Sequence, residues 1–134
     1  MPGTSRHRWG TDVDMYSLEN YDFDFGNGKI IYDWLVDNAA SYGFCQPYTA
    51  GRCAGYNEER WHWSYCPISK PLLTDWVGYY EDQLCRFIEN VDFPGSQDGA
   101  AFLAPVYVQS INPNCKQASG LIPSTASILN KDIV

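Results

Sequence analysis

Glu59-Arg60-Trp61-His62-Trp63-Ser64-Tyr65 is the stretch on which the reading of this chain turns. It sets a carboxylate and an imidazole three residues apart inside an aromatic run. Its composition predicts a strand over residues 60–65. Strand geometry sends Trp61, Trp63 and Tyr65 to one face and His62 and Ser64 to the other. Glu59 and His62 then have opposite parity, so both reach one point only if Glu59 precedes the strand or lies on a bulge. The counterpart is Ser5-Arg6-His7-Arg8-Trp9-Gly10-Thr11-Asp12-Val13-Asp14, which holds the other histidine of the chain. Residues 11–16 read as a second strand with Asp12 and Asp14 on one face. Gly10 permits the turn between His7 and that strand.

Together the two stretches offer a ligand set. A catalytic zinc takes three protein ligands and keeps one open position. His7, Asp14 and His62 supply two nitrogens and one oxygen. Glu59 is then the carboxylate left to act as general base, on a water whose pKa the metal lowers to ~7. Glu58 is the neighbouring rival, but the spacing to His62 selects Glu59 and leaves Glu58 exposed. The helix-borne H-E-x-x-H signature is absent. For either histidine taken alone, a surface or core role is the plain reading.

Composition bounds the rest. A chain of 134 residues makes one domain, and 45% hydrophobic with 16% aromatic residues suffice for a packed core. Tyrosine and tryptophan dominate the aromatics and suit an apolar groove that also offers hydrogen bonds. Trp9, Trp61, Trp63 and Trp76 read first as core. The net charge is -7 with no basic stripe, which excludes a nucleic-acid partner. No apolar run approaches the ~20 residues of a membrane span. Residues 1–10 are polar and do not read as a signal peptide. Cysteines at 45, 53, 66, 85 and 115 show no C-x-x-C spacing, so a zinc knuckle is not expected, and a disulfide is left unassigned.

The expected architecture is α+β: a small, mainly antiparallel sheet with helices packed on it. Residues 17–28 read as a surface loop and 29–42 as a helix, with Ile31, Leu35 and Ala39 at i+4 spacing and Ile30 and Trp34 widening the stripe. Gly43 fits its C-terminal cap. A short strand is expected over 44–48 and a loop over 49–57. A second helix is expected over 72–90, with Pro71 at its start and a stripe running from Leu73 and Trp76 to Phe87 and Ile88. Short helical pieces are expected at 99–104, and a helix or strand at 106–111. The domain is set at 1–115. Residues 116–134 lack any period and read as a poorly ordered tail.

The pattern Ser5-x-His7-x-x-Gly10-x-x-x-Asp14, followed by Glu59-x-x-His62-Trp63, resembles the paired zinc motifs of the D-alanyl-D-alanine carboxypeptidase family (VanY type), which is grouped with lysostaphin and hedgehog folds. The resemblance spans residues 2–112. It implies one Zn2+ held by His7, Asp14 and His62, Glu59 as catalytic base, and Ser5 helping to hold substrate. It further implies peptidoglycan stem peptides as partners, with loss of a terminal D-alanine, in the cell envelope (periplasmic or extracellular). Two departures stand out. Asp12 replaces a commoner small residue and reads as a partner of a ligand histidine, a rival ligand, or a solvated carboxylate. The family's arginine upstream of the first motif has no match in Arg6, Arg8, Arg52 or Arg60. The chain is therefore expected to begin part-way through its domain, and lacking that donor alone would weaken catalysis by ~2.7–4 kcal/mol. A second reading is a zinc-stabilised, non-catalytic binding module; a third is an L,D-carboxypeptidase or endopeptidase of the same fold.

Overall fold

The computed structural model describes residues 4–82 and 103–116. They form an α+β unit, as expected. Three antiparallel strands lie in the order β1 (Asp12–Asp14), β3 (His62–Tyr65), β2 (Phe44–Cys45). The central strand is the aromatic stretch. Its register sets Asp12 opposite Ser64, Val13 opposite Trp63 and Asp14 opposite His62. On its other side Cys45 faces Ser64 and Phe44 faces Tyr65.

The strands are shorter than expected. β1 stops at Asp14 because the chain turns, with Tyr16 in the left-handed region at φ 69° and Ser17 N–H donating to the Met15 carbonyl. The expected strand over 44–48 contracts to Phe44–Cys45.

Parity divides the sheet as the alternation requires. Trp63 packs with Leu35 and Ala39 of the first helical segment, flanked by Ile31, Tyr32 and Phe44. On the opposite face Asp12, His62 and Ser64 are buried polar groups. A second core gathers Tyr48, Leu73, Val108, Ile111 and Cys115, with Trp9, Tyr56, Trp76 and Val77 against it.

Helix α1 runs Gly26–Asn38 and passes into a 3-10 turn at Ala39–Tyr42. Gly43 caps that turn at φ 85°, its N–H donating to the Ala39 and Ala40 carbonyls. Two expectations on this segment are corrected. Residues 17–28 are not simply a surface loop: Asn20–Phe23 is a 3-10 turn whose Phe23 is buried. Ile30 and Trp34 do not widen the buried stripe, being 68% and 50% exposed.

Helix α2 spans Cys66–Asp82 and starts directly from β3. The expected start at 72 took Pro71 for the first-turn proline. Pro67 holds that place, where a missing N–H costs nothing, and Pro71 lies inside the helix. Leu73 and Tyr80 are buried as the stripe requires. Its continuation through Phe87 and Ile88, the connection after it, most of the piece at 99–104, and residues 117–134 lie outside the described residues. The segment expected as helix or strand at 106–111 is helix α3, Ala104–Gln109. A disulfide joins Cys45 to Cys115.

Candidate functional site

The site is built on the pairing of β1 with β3. Directly opposite residues on one sheet face bring their side chains together, and Asp14 is directly opposite His62. His62 Nδ1 lies 3.4 Å from Asp14 Oδ1. His7 arrives from a 3-10 turn at Arg6–Trp9. Ser5 caps that turn by accepting from His7 N–H, and Gly10 ends it at φ 71°. His7 Nε2 lies 3.4 Å from Asp14 Oδ2, and the two imidazole rings stand 4.5 Å apart in an edge-on arrangement.

Each ring is held at its far nitrogen. His7 Nδ1 is 3.1 Å from the Asp12 carbonyl oxygen. A carbonyl only accepts, so His7 donates there and its Nε2 is left with a lone pair. His62 Nε2 donates to Asp12 Oδ2 at 2.9 Å. One residue, Asp12, thus orients both imidazoles, through its backbone and its side chain. One ligand atom each from His7, Asp14 and His62 lies within 4.8 Å of the others. Two imidazoles and one carboxylate with their far nitrogens anchored are the donor chemistry of a zinc site, and the set fits such an ion.

Asp12 is neither solvated nor a member of that cluster. It is 6% exposed. Arg6 Nε donates to Asp12 Oδ2 at 3.0 Å, Ser64 Oγ donates to Asp12 Oδ1 at 2.6 Å and Thr11 Oγ1 donates at 2.9 Å. Burial alone would raise its pKa. The His62 hydrogen bond, the Arg6 guanidinium and the Ser64 hydroxyl outweigh burial and hold the carboxyl far below the usual range. Arg6 itself is 1% exposed and stacks on Trp9 at 4.5 Å, so it supports the site from behind.

Glu59 precedes β3, which resolves the parity conflict. Its Oε2 is 3.2 Å from His62 Nδ1. The loop that carries it is pinned by its neighbours: Glu59 N–H donates to the Tyr48 carbonyl, Gln46 Nε2 donates to the Glu59 carbonyl at 3.0 Å, and Asn20 Nδ2 donates to the Glu58 carbonyl at 2.7 Å. Glu58 is not fully exposed as expected. It is half-buried and pairs with Arg60 at 3.5 Å. For His62, burial would lower the pKa, but hydrogen bonds to Asp12 and Glu59 outweigh it, and the pKa is raised.

The wall beside the cluster is aromatic. Tyr48 meets His62 edge-on at 4.8 Å, Tyr56 meets Tyr48 at 5.0 Å, and Tyr107 meets Tyr56 at 4.6 Å. Arg52 lies over Tyr48 and ties the 49–57 loop by donating to the Ser110 and Tyr56 carbonyls. Arg6, Ser64, Gln46, Asn20 and Tyr48 were not singled out by sequence reasoning as parts of the site. Strand parity signals Ser64, which shares the His62 face. Nothing local in the sequence signals the others.

A glutamate beside two histidines and an aspartate thus gathers at one end of the β1–β3 pair. The D-alanyl-D-alanine carboxypeptidase family VanY matches residues 1–68, about half of the chain and all of both motifs. The chain belongs to the VanY family and is a D-alanyl-D-alanine carboxypeptidase-like peptidase at the family level. No curated protein and no solved structure matches it.

Proposed function

We propose that this protein is a zinc-dependent peptidase of peptidoglycan stem peptides, removing a C-terminal D-alanine. The observation that carries the reading is the convergence of His7 Nε2 and His62 Nδ1 on the Asp14 carboxylate, with Glu59 Oε2 beside His62 Nδ1. His7, Asp14 and His62 would hold the ion. Zinc supplies a Lewis acid and lowers the pKa of a water to ~7.

The chain's own residues supply the rest. Asp12 accepts the His62 Nε2 hydrogen and leaves Nδ1 as the ligating atom. Glu59 accepts the proton of the attacking water and returns it to the leaving amine nitrogen, so one carboxylate serves both halves of the hydrolysis. Tyr56 and Tyr107, backed by the buried Tyr48, offer an aromatic surface suited to a short peptide. Ser5, next to His7, would contribute to holding the substrate. On this reading residues 1–115 form a domain of the hedgehog and D-Ala-D-Ala peptidase type. The substrate puts the work in the cell envelope. No helix among the described residues is long and apolar enough to cross a membrane.

The test is release of D-alanine from a muropeptide with a pentapeptide stem. Zinc-loaded wild type should release it, and Glu59→Ala should lose about 10²–10⁴-fold in rate while keeping its zinc. Protein that binds zinc but frees no amino acid from any stem peptide would favour the binding-module alternative.

A further inference from the structure

A second set of ligating atoms, made of other residues than the histidine cluster, lies where the sheet meets the C-terminal segment. The sulfurs of Cys45, Cys66 and Cys115 all lie within 4.8 Å of one another. Cys45 and Cys115 share the disulfide, whereas Cys66 carries a free thiol. The three come from separate elements: β2, the first residue of α2, and the turn at Pro113–Cys115. Tyr48, Leu73, Val108 and Ile111 pack around Cys115, with Cys45 against them, and Cys66 follows β3 directly, its Sγ near the Ser64 carbonyl.

We propose that reduction of the disulfide turns Cys45, Cys66 and Cys115 into a three-thiolate site for a thiophilic ion, of the class Zn2+, Cd2+ or Cu+. Thiolates select such ions over oxygen-seeking cations. Zinc–sulfur bonds are ~2.3 Å, so two sulfurs on one tetrahedral ion stand ~3.8 Å apart. Cys45 and Cys115 are bonded in the oxidised chain, so their sulfurs must part to reach that span on reduction, while the Cys66 sulfur already lies within 4.8 Å of both. Burial holds the Cys66 pKa above the usual thiol value, with the Lys70 and Arg6 cations opposing it and Asp12 reinforcing it, so Cys66 is a thiol in the metal-free chain and loses its proton on binding the ion.

The chemistry balances with a dithiol as reductant. The Cys45–Cys115 bond breaks, the dithiol closes to its own disulfide, and its two protons end on the two cysteine sulfurs. Binding the ion then releases three thiol protons as three sulfur–metal bonds form, with no further redox change. The ion restores the tie between β2 and the C-terminal turn that the disulfide provides. The reduced chain thus keeps the same core.

The test is titration of the full chain with Cd2+ in a Cys53→Ser, Cys85→Ser background, reduced with a dithiol that is then removed without air. The expected result is one sulfur-bound Cd2+ per chain, counted from the sulfur-to-cadmium charge-transfer absorption, in which Cd2+ at the histidine cluster is silent. That absorption should be absent from the oxidised protein, and binding should weaken about tenfold or more in Cys66→Ser. The histidine cluster has no sulfur and cannot give this signal, so the outcome is independent of the zinc reading. Cys66→Ser keeps the disulfide pair, and its fold is checked by circular dichroism before reduction. No charge-transfer band in the reduced protein, or equal binding in Cys66→Ser, would overturn the proposal.

Discussion

Asp12 Oδ2 lies 2.9 Å from His62 Nε2 in a buried setting, and the same oxygen accepts from Arg6 Nε at 3.0 Å. This carboxylate is a structural counter-charge and an orienting group at once. Replacing it separates two effects. Asp12→Asn strands the Arg6 guanidinium, which is 1% exposed, without its counter-ion, and breaking a buried pair in this way costs about 3–5 kcal/mol. It also loosens the His62 tautomer, which should weaken zinc binding by about 10–100-fold. Urea unfolding and competition with a zinc indicator measure the two. Unchanged zinc affinity in a folded Asp12→Asn would remove the orienting role.

The pH response follows from His62. Its pKa in the metal-free protein is raised above 6.5, so a proton held between Asp12 and Glu59 must leave Nδ1 before a metal can bind there. The charged imidazole stabilises the metal-free fold fully below about pH 6.5, and that contribution is lost as pH rises through the higher folded value. Zinc affinity moves the other way. The difference in melting temperature between zinc-loaded and metal-free protein should therefore widen from about pH 6 to about pH 8. A constant difference across that range would contradict the assignment of Nδ1.

Gly28 fixes the packing of α1 on the 3-10 turn before it. A Cβ at this position would stand 1.9 Å from the Asp22 carbonyl oxygen, a backbone atom that cannot swing aside. Gly28→Ala should destabilise by about 1–3 kcal/mol through that overlap, read as a lower urea midpoint at unchanged slope. A neutral effect would mean that the turn shifts freely.

Trp63 anchors the opposite face of β3. It is 4% exposed, between Leu35 and Ala39, and its Nε1 donates to the Arg60 carbonyl at 3.0 Å. Trp63→Ala should cost about 3–5 kcal/mol. The loss should appear in global stability and lower zinc binding only in proportion to unfolded protein. Zinc binding lost at full foldedness would show that Trp63 positions His62 more directly.

Much of this arrangement is legible in the sequence because strand parity is a strong constraint. Alternation alone separates Trp63 from His62 and puts Asp12 beside Asp14. The E-x-x-H spacing requires Glu59 to lie off the strand, and it does. Helix α1 follows from Ile31, Leu35 and Ala39, yet Ile30 and Trp34 lie on its exposed side, since apolar residues at the margin of a stripe carry no sign of their own burial. The early start of α2 was hidden by two prolines four residues apart, either of which suits a first turn. The anchoring by Gln46, Asn20 and Arg6 depends on tertiary contacts across as many as 58 positions, as between Arg6 and Ser64. The disulfide spans 70 positions, and spacing cannot assign such a pair.

The most direct measurement is zinc per chain in protein purified without chelator, with the Cys45–Cys115 disulfide intact, beside His62→Ala and the exposed-ligand variant Asp14→Asn. One zinc per wild-type chain is expected, and its loss from both variants, with Asp14→Asn still folded by circular dichroism. A folded wild type without zinc, or zinc retained at full stoichiometry in both variants, would contradict the site.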